Sequence, residues 1–287
     1  MKANSSIKPS VKKKIRVSTL VMYLLLGIFT VIQVYPLIWL FLFSFKDNNE
    51  IFSGNAMGMP EVWRFSNYSE ALTGGNVSVY LLNSVIVTGI TIVLSTFLIT
   101  TSAYAIARMH WKMSGAFLTF ILLGLMVPLH ATLLPLFIVL KNLGILNSYL
   151  SLILPYTAFA LPMGIFIMAG FFRGVPKEIE ESACLDGCSI YSMFYNIVLP
   201  LVRPAIATVA IFTFLSSWNE LMFANTFLSN EKLKTLTVGI MSLSGQQGTH
   251  WGPIGAGLVI ATVPTLIIYF MFSDQLQKSV IAGAVKG

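Results

Sequence analysis

Two stretches hold the side chains with chemistry to offer. The first is 173–204, RGVPKEIEESACLDGCSIYSMFYNIVLPLVRP, which gathers Glu178, Glu180 and Glu181 beside the small residues Ser182, Ala183 and Cys184, with Cys188 beyond. The second is Ser216-Ser217-Trp218-Asn219-Glu220, a polar cluster with one acid inside an apolar run. His110, His130 and His250 are scattered. No H-E-x-x-H, G-x-S-x-G or paired-carboxylate pattern is present, and no G-x-x-x-x-G-K-S/T loop that would cradle nucleotide phosphates. Two cysteines without a nearby histidine are too few for a zinc site, and a disulfide is disfavoured on the side where the charges place this loop. The residues offer recognition rather than bond making.

The elements that position these groups are membrane helices. Hydrophobic residues make up 56% of the chain and charged residues 10%, with a mean hydropathy of +0.80. A soluble domain carries about 25% charged residues to face water. A spanning helix needs about 20 mostly apolar residues. Six stretches qualify, at 17–45, 79–107, 115–140, 148–172, 204–229 and 252–274. No ten-residue blocks alternate apolar and polar positions, which excludes an outer-membrane barrel. The apolar run from Val17 is longer than a cleavable signal core and lacks an A-x-A-like site, so it reads as an uncleaved first span.

The net charge of +7 is a topology signal rather than a nucleic-acid patch. Lys2, Lys8, Lys12, Lys13, Lys14 and Arg16 precede the first span, and Arg108, Lys112, Arg173, Lys177, Arg203, Lys278 and Lys286 fall on the same side of the predicted topology. Only Lys46, Arg64, Lys141, Lys232 and Lys234 fall on the other. Positive-rich loops stay in the cytoplasm, which places both termini on the cytoplasmic side. The organisation expected is a basic tail (1–16), one transmembrane domain (17–274) and a C-terminal tail (275–287). The segment 46–78 carries Gly54, Gly58, Pro60, Gly74 and Gly75, the residues of turns, and a short surface helix is predicted near Phe65–Tyr68. Pro128, Pro135, Pro155, Pro162 and Pro264 fall in spans, where they bend helices and either line a path or are inert.

The loop 173–204 reads as helix, turn, helix. Pro176 suits a first helical turn. The three glutamates favour the positive end of the helix dipole. Gly187 suits the left-handed position just past a helix end. Ser189 can cap the second helix, which Pro200 closes. The first helix has an acidic edge and a small-residue edge, suited to insertion into another surface.

Here the sequence resembles a known family. Glu181, Ala183 and Gly187, followed by Ile197, Leu199 and Pro200, match the EAA loop of ABC-importer permease subunits, with Ser182 where that pattern has alanine. The resemblance implies an all-α integral membrane protein with six transmembrane helices and the type I ABC importer permease fold. It implies that Glu181, Ser182, Ala183, Asp186, Gly187, Ile197, Leu199 and Pro200 form a coupling loop that docks a cytoplasmic ATPase. Trp218-Asn219-Glu220, Asn83-Ser84, Ala103-Tyr104-Ala105 and the end Gly283-Ala284-Val285-Lys286-Gly287 are similar to the maltose-type sugar permeases. The partners so implied are a second, homologous permease, two ATPase subunits, an extracytoplasmic solute-binding protein and a sugar. ATP and Mg would bind the ATPase, and no cofactor or metal this chain.

Ser217, Trp218, Asn219 and Glu220 are candidates for the translocation path. A carboxylate inside a span is costly and usually faces a bundle interior or wet cavity, and sugars need donors, acceptors and aromatic faces. The same cluster also reads as a polar contact between helices or subunits. The alternative function is an ion-coupled secondary carrier, for which Glu220 is the obvious intramembrane acid.

Overall fold

A computed structural model describes residues 17–245 and 248–284. The expected tail 1–16 lies outside them. The helices are α1 (Val17–Phe43), α2 (Val77–Arg108), α3 (Ser114–Leu123), α4 (Leu133–Asn142), α5 (Leu150–Arg173), α6 (Lys177–Leu185), α7 (Arg203–Trp218), α8 (Met222–Phe227), α9 (Leu236–Ser242) and α10 (Trp251–Ala284). Shorter turns join them, and Ser244–Gly245 pairs antiparallel with Gly248–Thr249.

Four helices (α1, α2, α5 and α10) are long and apolar enough to cross a membrane unbroken. The other two expected spans are bent. Ser114–Met126 meets Leu129–Asn142 at 92°, and Ile190–Leu201 meets Arg203–Trp218 at 78°. With each bent pair taken as one crossing, the total is the expected six.

The breaks have local causes. Pro128 forces Val127 out of the helical region, to φ −79° and ψ 117°, and the third span stops there. Pro155 and Pro162, by contrast, stay inside a continuous α5, and Pro264 inside α10. The fifth span, expected to run through 229, ends its helix at Trp218; α8 restarts at Met222. The expected tail from 275 begins inside α10, which continues to Ala284; only 285–287 of it lie outside the described residues.

The centre is the pair α2 and α5. Gly164 lets them meet closely: a Cβ there would stand 2.3 Å from Ile99 Cδ1. Around that contact Ile99, Ala103, Met168, Phe172 and Val209 are almost fully buried. A second cluster packs Leu152, Phe223, Phe227 and Leu228, and a third packs Val77, Phe214, Trp218 and Leu236. Many hydroxyls inside the spans bond their own helix, as Thr100 does to Thr96 O (2.7 Å) and Thr208 to Pro204 O (2.9 Å). This satisfies them where no water is available.

The α2 end that begins at Val77 carries a folded cap rather than open loop. Lys46, expected as a loop charge, is fully buried, and its Nζ donates to Asn55 O (2.5 Å) and Gly58 O (2.7 Å). Asn67 Nδ2 donates to Ser44 O and Lys46 O (2.8 and 2.9 Å). The expected surface helix is Ser66–Ser69. Gly252 has no room for a side chain: a Cβ would lie 2.3 Å from Lys46 O. We call this the far side, and the end carrying α6 the elbow side.

Candidate functional site

The elbow is α6, a turn, and the segment Ile190–Leu201. Pro176 stands at the cap position immediately before α6, one residue earlier than its expected place. At the other end Gly187 has φ +78°. Cys188 N donates to Ala183 O and Gly187 N to Cys184 O, both at 3.0 Å. This six-to-one and five-to-two pairing is the Schellman closure, which needs a left-handed residue at Gly187. Ser189 caps the next helix by accepting from Ser192 N (3.3 Å).

Pro200 does not close that second helix. The backbone makes a π turn over Phe194–Val198, with Leu199 N donating to Phe194 O, and continues to Leu201 before turning at Val202. A π turn widens the helix by one residue, which relieves the clash that a proline ring makes with the carbonyl four residues back.

The motif residues divide into two groups. Glu181, Ser182, Asp186 and Gly187 are exposed, with Leu185 (89% exposed) and Tyr191 (76%) flanking the turn. Ala183 is buried in the chain's own core, and Ile197 and Leu199 pack against the same cluster. Pro200 is half-buried. Small size at Ala183 therefore serves packing inside this chain, while the surface left for another molecule is the tip at 181–191. Ser182 carries its hydroxyl back to Glu178 O (2.8 Å), so the extra oxygen is satisfied within α6. Cys184 and Cys188 are free thiols.

Three features of the elbow were not read from the sequence. Arg108, at the end of α2, is tied to Glu180 through Nε–Oε2 at 2.8 Å. Leu185 and Tyr191 provide an apolar rim to the tip; an exposed leucine beside an Asp-Gly turn was the available signal. For Arg108 the signal was a single cation ending a long apolar helix.

The second site is a cavity of about 280 Å³ between α5, α7 and the hinge of the third span. Small-molecule pockets run from about 300 Å³ upward, so this one is at the small end. Its wall includes Leu129, Tyr156, Phe159, Phe212, Ser217 and Glu220. Glu220 accepts from Tyr156 Oη (2.5 Å), Phe223 N (2.8 Å) and Ala224 N (3.1 Å). It thereby caps α8, whose first amides have no helical partner.

The four expected path residues are not brought to one surface. Ser217 and Glu220 line the cavity. Ser217 Oγ bonds Thr213 O of its own helix. Trp218 points instead at α10, donating to Ala261 O (3.1 Å) and stacking on Phe214. Asn219 is exposed and bonds Leu215 O (2.9 Å). Successive residues of a helix are rotated by about 100°, and the helix itself ends at Trp218, so this polar run is spread over several directions.

On the far side, Asn83 Nδ2 donates to Lys232 O (2.9 Å) and Lys234 O (2.8 Å), while Tyr149 Oη donates to Asn83 Oδ1 (2.7 Å). Ser84 Oγ accepts from Leu236 N (2.8 Å). The Asn83-Ser84 pair thus holds the loop that precedes α9.

The apolar helices, two of them bent, and the patterned elbow define a polytopic helical membrane protein. The comparisons with known proteins narrow the class. A family model described as "Binding-protein-dependent transport system inner membrane component" matches residues 99–282. The probable ABC transporter permease protein YurM of Bacillus subtilis is 34% identical over 281 residues, covering 98% of this chain and 93% of that protein. The diacetylchitobiose uptake system permease protein NgcG of Streptomyces coelicolor is 35% identical over 264 residues, covering 91% and 87%. A chain from the crystal structure of a bacterial ABC transporter involved in the import of the acidic polysaccharide alginate superposes with a TM-score of 0.78 at 23% identity, covering 93% of this chain and 99% of that one. The chain belongs to the family of binding-protein-dependent transport system inner membrane components. Its fold is that of a type I ABC importer permease.

Proposed function

We propose that this chain forms half of the membrane path of an ATP-driven importer for a sugar or oligosaccharide, and that the elbow docks a separate ATPase. The observation that carries the docking is the tip itself. Leu185 and Tyr191 stand exposed around a left-handed Gly187, beside Glu181, Ser182 and Asp186, on an elbow anchored to the core through Ala183, Met193, Phe194 and Val198. An exposed apolar rim next to ordered charge is the surface of a contact. The elbow side is then cytoplasmic, as the basic residues of the sequence favour. The far-side cap faces the solute-binding protein.

The complete assembly in this reading contains a second, homologous permease, two ATPase subunits that bind ATP and Mg, and the external binding protein. The sugar reading is supported by the diacetylchitobiose relative and by the hydroxyl and aromatic groups of the cavity wall. ATP-driven closure of the ATPases moves the elbow and switches the spans between inward-open and outward-open states. A carrier coupled to an ion gradient is not favoured, because Glu220 is already occupied by Tyr156 and two backbone amides.

The test is uptake into vesicles that hold the purified complex. Uptake of labelled oligosaccharide should require ATP on the elbow side and the binding protein on the other, and should survive an uncoupler. Uptake without ATP that an uncoupler abolishes would refute the proposal.

A further inference from the structure

One guanidinium joins three parts of the molecule. The side chain of Arg108 is 5% exposed and that of its partner Glu180 is 16% exposed. Nε donates to Glu180 Oε2 at 2.8 Å, and Nη2 stands 2.5 Å from the same oxygen, as a charge contact rather than a directed hydrogen bond. Nη1 donates to Phe172 O (3.3 Å) in the last turn of α5 and to Val175 O (3.0 Å) in the link to α6. The end of α2, the end of α5 and the middle of α6 therefore share a single cation. Glu180 Oε1 is buried without a hydrogen bond, so this carboxylate depends on Arg108 for its charge balance.

The other arm of the elbow is held from the same helical face. Tyr104 lies one turn before Arg108, and residues four apart stack on one side of a helix. Its ring centroid is 4.9 Å from that of Phe194 and 5.6 Å from that of Phe172, and its hydroxyl points at Met193 Sδ (3.7 Å). The two arms are thus fixed to the last two turns of α2, one by charge and one by aromatic packing. Between them extends the exposed tip around Gly187, with Leu185 and Tyr191 on its rim.

We infer that Arg108 is a positioning residue that makes the elbow and the elbow-side ends of α2 and α5 a single lever. A load applied at the tip then tilts the two central spans. Without the tie, the short α6 is held to α5 only by the link Gly174–Pro176 and by the apolar packing of Ala183 in the shared core, and the load bends that link instead. This inference rests on the docking reading and adds the route by which the docked elbow moves the spans. Arginine suits the role because its planar fork reaches a carboxylate and two carbonyls at once, which a lysine ammonium on a flexible stem does not.

The test uses the full importer complex in vesicles and measures uptake and ATP hydrolysis in the same sample. The variants are Arg108→Gln, Arg108→Lys, Glu180→Gln and the double variant Arg108→Gln/Glu180→Gln. The inference predicts that the ATPase co-purifies in wild-type amount and still turns over, while solute moved per ATP falls about ten-fold in Arg108→Gln, within the range of coupling-network changes. Arg108→Lys should recover part of that loss. Glu180→Gln should resemble Arg108→Gln, and the double variant should be no worse than either single change, because both remove one interaction. Unchanged solute per ATP in Arg108→Gln would overturn the lever alone. Loss of the ATPase from the complex in both Arg108→Gln and Glu180→Gln would also overturn it, showing a role in docking rather than transmission. Failure of the wild-type chain to hold an ATPase would overturn the docking reading and this inference together.

Discussion

The carboxylate of Glu220, in the link between α7 and α8, and the hydroxyl of Tyr156 on α5 meet at 2.5 Å. The same carboxylate caps α8 through Phe223 N and Ala224 N. A carboxylate that is costly inside a span thus meets three donors, and two of the amides left free where the fifth span breaks after Trp218 find an acceptor in it.

Glu220→Ala should therefore destabilise the purified chain more than Tyr156→Phe does. The tyrosine change removes one hydrogen bond to a charged group, about 1.5–3 kcal/mol. The alanine change removes that bond and adds the loss of a helix cap, about 1 kcal/mol more. Thermal unfolding in detergent checks the order. Equal losses would mean that the cap contributes nothing.

Gly187 presents a different kind of constraint. Nothing lies within 4 Å of the position its Cβ would take, yet φ is +78°. A side chain there is strained but does not clash within this chain. Gly187→Ala should cost about 1–2 kcal/mol of elbow stability, the usual penalty for a left-handed L-residue, and Gly187→Val more, because a β-branched side chain is least tolerated there. Gly187→Asn should cost less, because asparagine tolerates that region. Uptake should nonetheless fall further in Gly187→Asn than in Gly187→Ala, because the larger side chain enters the open space that the docked partner occupies. Uptake and membrane content measured together would show this.

Leu185 is 89% exposed in the single chain. Its replacement by glutamate should leave the chain's own stability within about 0.5 kcal/mol. Docking of the ATPase should weaken by about 1.5–3 kcal/mol, the value of burying a leucine. A titration of ATPase against the variant in nanodiscs checks both halves of the statement.

On the far side, Asn83→Ala removes the partner of Lys232 O, Lys234 O and Tyr149 Oη together. We expect a loss of about 1–3 kcal/mol and faster proteolytic cutting within 228–235, with the membrane helices intact. A cutting rate equal to that of the wild type would show that the loop is held elsewhere.

Four unbroken spans were legible because apolar runs of membrane length are a strong signal; the third and fifth runs were legible as apolar but not as bent pairs. The elbow was legible for a local reason: Pro176 and Ser189 favour helix starts, Gly187 admits the left-handed state that ends a helix, and the three are close in the chain. What escaped was set by long-range contacts. Lys46 counts as a loop charge by position, and only the fold reveals that Asn55 and Gly58 carbonyls bury it. Arg108 and Glu180 are separated by 72 positions, so no spacing rule links them. Ala183 and Leu185 look equally available in sequence, yet one lies in the core and the other projects from the tip. The polar run 216–220 suggested one lined path, but Trp218, the last residue of α7, turns to α10, and Glu220, in the break before α8, turns to Tyr156 of α5.

The most direct test of the central claim is a pull-down of the tagged chain from mild detergent, with its companions identified by mass spectrometry. The account predicts that a second permease and an ATPase accompany the wild-type chain, and that a Glu181→Lys/Gly187→Val double variant keeps the permease but loses the ATPase. Recovery of the chain alone, together with uptake that a proton gradient drives without ATP, would contradict it.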